Sequence, residues 1–147
     1  MIAEKCGREE RLHVLRQRLS NTGHRITPQR LCILEALVDC NRHPTAEDIF
    51  AQVRKVSPTT SLATVYKTIE TLKEMGEVQE LEFGDGRNHY DGVDPAPHPH
   101  VVCTCCGKIE DVTVAGVASL QSQAVEASGY HIVSQRVDFY GICQACQ

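Results

Sequence analysis

Two C-x-x-C pairs, Cys103-Thr-Cys-Cys106-Gly-Lys and Cys143-Gln-Ala-Cys146, stand near the end of the chain with 36 residues between them. A C-x-x-C turn sets two thiolates on one side of a metal ion, and a second such turn completes a tetrahedron. Four thiolates leave no open coordination position. The spacing therefore predicts a structural Zn(II) site at Cys103, Cys106, Cys143 and Cys146, with Gly107 allowing backbone amides to turn toward the sulfurs. The competing reading is a thioredoxin-like redox pair, but neither C-x-x-C opens a helix after a buried strand. Cys105 adjoins both ligand positions and is placed to substitute or misligate. Cys6, Cys32 and Cys40 read as small buried or incidental residues.

The length of 147 residues suits one compact domain or two small ones. No apolar run reaches the ~18 residues of a membrane helix. The charged start, Met1 to Leu19, lacks the apolar stretch of a secretory signal. These features point to a cytoplasmic protein with no membrane partner, in a compartment that favours metal ligation over disulfides. The net charge of -4 does not by itself suggest nucleic acid.

The first part, residues 1–92, reads as amphipathic helices followed by a hairpin. Glu9 to Asn21 carries Leu12, Leu15 and Leu19 at helical spacing. Thr27-Pro28 opens a second helix with Leu31, Leu34, Leu37 and Val38 on one face. Thr45-Ala-Glu-Asp48 resembles a capping box before Ile49, Phe50 and Val53. Ser61 caps a fourth helix with Val65, Ile69 and Leu72. Val78 to Phe83 and Arg87 to Asp91 are then two extended runs joined by Gly84-Asp85-Gly86.

This order is that of a winged helix-turn-helix with Ser61 to Met75 as its recognition helix, offering Ser61, Thr64, Tyr66, Lys67 and Thr71 to phosphates or base edges. Periodicity alone equally allows a helical bundle with a solvated polar face. Arg8, Arg11, Arg16, Arg18, Arg25 and Arg30 either track phosphates or form solvated helix surface.

Residues 93–100, with three prolines, read as a hinge. Residues 101–147 read as a small αβ domain with a thin core. Its expected strands are Val101 to Cys103, Lys108 to Val114 and His131 to Tyr140. Its expected helix is Val117 to Ala127, with Val117, Leu120 and Ala124 inward. The fold class is α+β.

His98-Pro-His100 places two imidazoles on one side of an extended segment. The pair is either incidental to a polar linker or the start of a second metal site. Asp91, Asp94 and Asp111 lie nearby in sequence, and a mixed His/Asp set favours Fe(II), Mn(II) or Zn(II). His13, His24, His89 and His131 have no comparable partners in sequence. An enzymatic reading finds no H-E-x-x-H motif and no H-x-E followed by P-C-x-x-C, so the chain is expected not to be an enzyme.

From about Leu12 to Cys146 the chain resembles the ferric uptake regulator family. The resemblance is carried by Arg25-Ile-Thr-Pro-Gln-Arg30, His43-Pro-Thr-Ala-Glu-Asp-Ile49, Ala63-Thr-Val-Tyr66, His98-x-His100, Cys103-x-x-Cys106-Gly-Lys and Tyr140-Gly-x-Cys-x-x-Cys146. It implies a homodimeric, metal-dependent repressor that binds a palindromic operator in double-stranded DNA, with a C-terminal dimerisation domain. It adds Arg25 to the DNA-binding candidates Ser61, Thr64, Tyr66 and Lys67.

In the peroxide-sensing branch the regulatory Fe(II) or Mn(II) is held by three histidines and two aspartates. These fall on His43, Asp91, His98, His100 and Asp111. The iron-uptake branch tends to have glutamates at the two aspartate positions and often a further metal site. The positions matching that further site are Pro97, Pro99, Ala118 and Gln135, which lack the required donors. The resemblance thus implies a peroxide sensor in which His43 and His98 are oxidised, the alternative being an iron- or zinc-uptake repressor that senses metal level.

Overall fold

The computed structural model describes residues 7–39 and 43–147. Cys6 and Cys40 fall outside these ranges. The chain divides into two units, Met1–Pro95 and Ala96–Gln147, at a boundary inside the proline-bearing 93–100 stretch.

In the first unit, α1 (Arg8–Asn21), α2 (Pro28–Asp39), α3 (Ala46–Val53) and α4 (Leu62–Glu74) precede the strands β1 (Gln79–Glu82) and β2 (Asn88–Asp91). Each expected cap is present. The Arg30 N–H donates to Thr27 Oγ1 at 3.1 Å. Thr45 and Asp48 exchange the two bonds of a capping box, at 3.0 and 3.2 Å. The Thr64 N–H donates to Ser61 Oγ at 3.2 Å. These caps satisfy amides that a helix start leaves without partners.

The apolar stripes then meet in one core built from Leu15, Leu19, Ile33, Leu34, Leu37, Ile49, Val53, Val65, Ile69 and Leu72, closed by Val78 and Tyr90 from the hairpin side. Ile33 and Ala36 belong to the buried face of α2, whereas Leu31 is half-buried at its edge. β1 and β2 pair antiparallel from Gln79↔Asp91 to Glu82↔Asn88. The unit is a winged helix-turn-helix.

Arg11 is not surface. It is buried, and its guanidinium donates to the Gly92 carbonyl at 2.7 Å, to Glu77 Oε2 at 2.9 Å and to the Glu77 carbonyl at 2.7 Å. Arg18 Nε reaches the other Glu77 oxygen at 2.6 Å, and Arg8 pairs with Asp39 at 3.1 Å. The reading of these arginines as phosphate-tracking or solvated fails for Arg11, because α1 presses it against the strand end. Gly92 must be glycine for steric reasons: a Cβ there would lie 2.5 Å from Leu37 Cγ.

In the second unit, β3 (His100–Cys103) is the central strand, with β4 (Ile109–Asp111) antiparallel on one edge and β5 (Asp138–Gly141) parallel on the other. α5 (Val117–Ser128) lies on the chain path that makes the parallel return possible. Three expectations need correction. The expected strand 108–114 is ordered as β4 only over Ile109–Asp111, after which the Val112 N–H turns to the Pro99 carbonyl at 3.0 Å. The expected strand 131–140 is confined to Asp138–Gly141, because β3 offers four residues to pair with.

The face of α5 expected to point inward does not, since no α5 residue is buried and Leu120 is 44% exposed. The sheet has too little apolar surface to cover a helix. Its buried apolar side chains are Val102, Cys103 and Ile109. No helix among the described residues is long and apolar enough to cross a membrane.

Candidate metal centres and nucleic-acid interface

The parallel pairing of β3 with β5 sets Cys103 beside Gly141 and so brings the second C-x-x-C against the first. Cys103, Cys106, Cys143 and Cys146 each place a sulfur within 4.8 Å of the other three. Zn–S bonds of about 2.3 Å in a tetrahedron put the sulfurs about 3.8 Å apart. Cys106 Sγ and Cys143 Sγ are 3.8 Å apart. The four residues fit the ion.

Local backbone geometry prepares the site. Gly107 adopts φ 76°, and its N–H donates to the Cys103 carbonyl at 2.9 Å, which folds the turn back over the sulfurs. The Cys143 and Cys106 N–H groups donate to Cys103 Sγ at 3.3 and 3.5 Å. These bonds, Cys143 first, bring the Cys103 thiol down to about 6. Neighbouring sulfurs, Cys143 first, push the Cys146 thiol up. Cys105 is exposed.

The histidine and aspartate candidates form two sets, one in each unit. In the first unit, His43 and Asp91 are both buried, with His43 Nε2 3.2 Å from Asp91 Oδ2. The capped start of α3 positions His43 from behind. The end of β2 positions Asp91, whose Oδ1 accepts the Val93 and Asp94 N–H groups at 3.0 and 2.9 Å. Those two bonds hold the carboxylate by one oxygen and turn the other toward the imidazole.

In the second unit, His98 and His100 have ring centroids 4.5 Å apart. Their Nε2 atoms lie 3.1 and 3.8 Å from Asp111 Oδ1. The β3–β4 register pairs His100 with Asp111 directly, and the β3–β5 register pairs His100 with Asp138. Asp138 Oδ1 is 3.4 Å from His100 Nδ1, and Arg136 Nε holds the other Asp138 oxygen at 2.6 Å.

A carboxylate behind one ring nitrogen orients an imidazole so that the other nitrogen faces a metal. Sequence reading missed Asp138 and Arg136; the available signal was the place of Asp138 on a strand that returns beside His100, with Arg136 two residues before it. It also passed over His89. His89 is buried, with Nδ1 2.8 Å from the His43 carbonyl and Nε2 2.7 Å from Asp85 Oδ2. That contact holds the Asp85 carboxyl below its ordinary value. Imidazole and carboxylate donors without thiolate suit Fe(II), Mn(II) or Zn(II), so both sets fit the regulatory metal by donor type.

On α4, Tyr66 and Lys67 are exposed, while Thr64 is half-buried and its hydroxyl engages Ser61 at 2.9 Å. Ser61 is exposed at the cap, and Arg25 is exposed in the loop before α2. The Tyr66 hydroxyl donates to Glu47 Oε1 at 2.7 Å, which raises the Tyr66 hydroxyl and lowers the Glu47 carboxyl. The exposed acids Glu70 and Glu74 lie in the C-terminal half of α4. The N-terminal half therefore joins Ser61, Thr64, Tyr66 and Lys67 to the positive end of the helix dipole, whereas Thr71 lies in the C-terminal half, half-buried, its hydroxyl donating to the Lys67 carbonyl at 3.0 Å.

The profile of the ferric uptake regulator family matches residues 21–140. The chain belongs to this family. As a member of it, the chain is 41% identical over 128 residues to the peroxide operon regulator of Bacillus subtilis, covering 87% of this chain and 88% of that one. It is also similar to the crystal structure of the Campylobacter jejuni peroxide stress regulator, with TM-score 0.68, 33% identity and coverage of 92% and 98%. The Helicobacter pylori ferric uptake regulator shares the fold, with TM-score 0.77, 23% identity and coverage of 96% and 94%.

Proposed function

We propose that this protein is a metal-dependent, peroxide-responsive transcriptional repressor that binds a palindromic DNA operator as a homodimer in the cytoplasm. The observation that carries the reading is the coexistence of two donor sets of different character. One is an all-thiolate tetrad. The other is a His/Asp set complete in residue type at His43, Asp91, His98, His100 and Asp111. The likeness to peroxide regulators supports the choice of branch.

Cys103, Cys106, Cys143 and Cys146 would hold Zn(II), which stabilises a unit with few buried apolar side chains. His43 and Asp91 would join His98, His100 and Asp111 around one regulatory ion, two donors from the first unit and three from the second. Ligation would then fix the spacing of two winged helices, which sets the half-site spacing a dimer can read. Arg25, Ser61, Thr64, Tyr66 and Lys67 would contact DNA. The exposed apolar residues Leu120, Val125, Tyr130, Val133 and Ile142 of the second unit offer a second copy the surface it needs.

Bound Fe(II) would supply electrons to peroxide and generate an oxidant beside its ligands; Mn(II) would support binding without that chemistry. The His43 and His98 rings are the expected targets. The ring attacked would take one oxygen from peroxide at a ring carbon, with water released, and so lose donor strength toward the metal.

The test loads the zinc-containing protein with Fe(II) or Mn(II), adds peroxide, and measures promoter DNA binding and intact mass. Release from DNA with one oxygen added at His43 or His98, in the iron form only, is the expected result. Release governed by metal concentration alone identifies an uptake regulator. Oxidation confined to cysteines identifies a thiol switch.

A further inference from the structure

We infer that His89 is a positioning residue for His43, holding the backbone that presents the His43 ring. The inference rests on the reading of His43 as a regulatory-metal ligand. Among the described residues, His43 is the one non-glycine residue with positive φ, at 49°. Side chains other than glycine seldom adopt this conformation, and it persists where surrounding contacts over-determine it.

Those contacts come from the hairpin. His89 Nδ1 lies 2.8 Å from the His43 carbonyl oxygen. The Tyr90 N–H donates to the Pro44 carbonyl at 2.9 Å, and Thr45 pairs with His89 as an isolated antiparallel bridge. β2 is thus stitched to the three residues that lead into α3. The His89 ring is itself anchored, since Nε2 sits 2.7 Å from Asp85 Oδ2 in the hairpin turn.

Phe83 completes the arrangement. Its ring meets His89 at 5.7 Å and His43 at 6.3 Å between centroids, edge-on to the latter at 83°. His43 is therefore held at its carbonyl by His89 and at its ring by Phe83. Both holders come from the hairpin segment that runs on into Asp91. The backbone angle that aims His43 at Asp91 is set by the fold and does not have to be supplied by an ion. Partners of this kind, behind a ligand rather than on the metal, change affinity without touching the ion.

The experiment measures Mn(II) affinity of the full-length, zinc-loaded protein by the Mn(II) EPR signal at fixed pH. It compares wild type, His43→Ala, His89→Ala, His89→Asn and His89→Gln, with the melting temperature of each in the absence of Mn(II). His89→Ala should weaken Mn(II) binding by about tenfold or more. His89→Asn places an amide N–H near the position of Nδ1 and should recover most of that loss. Should the alanine variant fail to fold, His89→Gln carries the test: it keeps a donor toward Asp85, loses the one toward His43, and should show the same loss.

Affinity equal to wild type in His89→Ala or His89→Gln, while His43→Ala abolishes binding, overturns the positioning role alone. So does an affinity loss that follows the Mn-free melting temperature with no rescue by asparagine, the pattern of a merely structural residue. If His43→Ala leaves Mn(II) affinity unchanged, His43 is not a ligand and the positioning role falls with that reading.

Discussion

Arg11→Met removes the charge that ties α1 to the end of the wing. Arg11 and Glu77 are both buried, and the guanidinium makes three short bonds to Gly92 and Glu77. Removing one partner of a buried ion pair costs roughly 3–5 kcal/mol, because the remaining charge stays desolvated. Glu77 keeps Arg18 on its second oxygen at 2.6 Å, so it is not stranded. The lower end, about 3 kcal/mol, is therefore expected. For a unit of about a hundred residues this lowers the melting temperature by roughly 15 °C.

Replacing both residues by methionine leaves no buried charge and should cost at least ~1 kcal/mol less than the sum of the single changes. Urea unfolding followed by far-ultraviolet circular dichroism reads these values, since α1 to α4 hold most of the helix. A loss below about 1 kcal/mol in Arg11→Met, or strict additivity in the double variant, would show that the pair is not the coupled buried bridge described here.

Gly92→Ala drives a Cβ to 2.5 Å from Leu37 Cγ in a packed core, and should cost roughly 1–3 kcal/mol in the same unfolding experiment; a neutral result means Leu37 yields freely. Burial, with the Glu80 carboxylate nearby, pushes the Tyr90 phenol up to about 12. An unfolded tyrosine ionises near 10, so the stabilisation from protonated Tyr90 is complete below that pH and is lost as pH rises through about 12. The phenolate absorbance of wild type minus Tyr90→Phe should titrate near the higher value; titration near 10 contradicts the burial argument. Cys106→Ser should abolish zinc binding and strip hydrogen-exchange protection from β3, β4 and β5 while α1 to α4 keep theirs, because the second unit has so few buried apolar side chains. Retained protection in those strands would mean that the sheet stands without the metal.

The legible parts of this chain are those whose signals are local. Thr27, Thr45 with Asp48, and Ser61 act on amides three residues away, so the helix starts could be read directly. The C-x-x-C pairs are equally local, and their union needed only one strand return. What stayed hidden depends on distant partners. Arg11 and Glu77 are 66 positions apart, and nothing near Arg11 in sequence distinguishes it from the exposed Arg16. His89 looked isolated because its partners are a backbone carbonyl 46 positions earlier and a turn aspartate. The strand over 131–140 was over-read because apolar alternation there lacked a pairing partner of matching length. His43 entered the candidate ligand set through family resemblance, since spacing alone could not join it to His98 and His100, whereas Asp91 and Asp111 were already candidates from their nearness in sequence.

The two donor sets differ in how they depend on the fold, and that difference bears on which ion can act as a signal. The four thiolates lie on turns of a single sheet, and three backbone bonds arrange Cys103 and Gly107 before any ion binds. A closed tetrahedron of that kind has no vacant position and exchanges its ion only by coming apart. The histidines and aspartates instead divide between the units, His43 with Asp91 in one and His98, His100 and Asp111 in the other. Neither group alone offers the donors a six-coordinate ion seeks. Were the five donors to share one ion as proposed, its affinity would rest on ligands carried by separately folded units, and damage to one ligand ring would subtract from it. Asp138 behind His100 and the hairpin behind His43 prearrange two of the proposed donors, each within its own unit. An ion so held would leave when a single imidazole lost its donor strength, which is the property a single-use oxidant sensor requires.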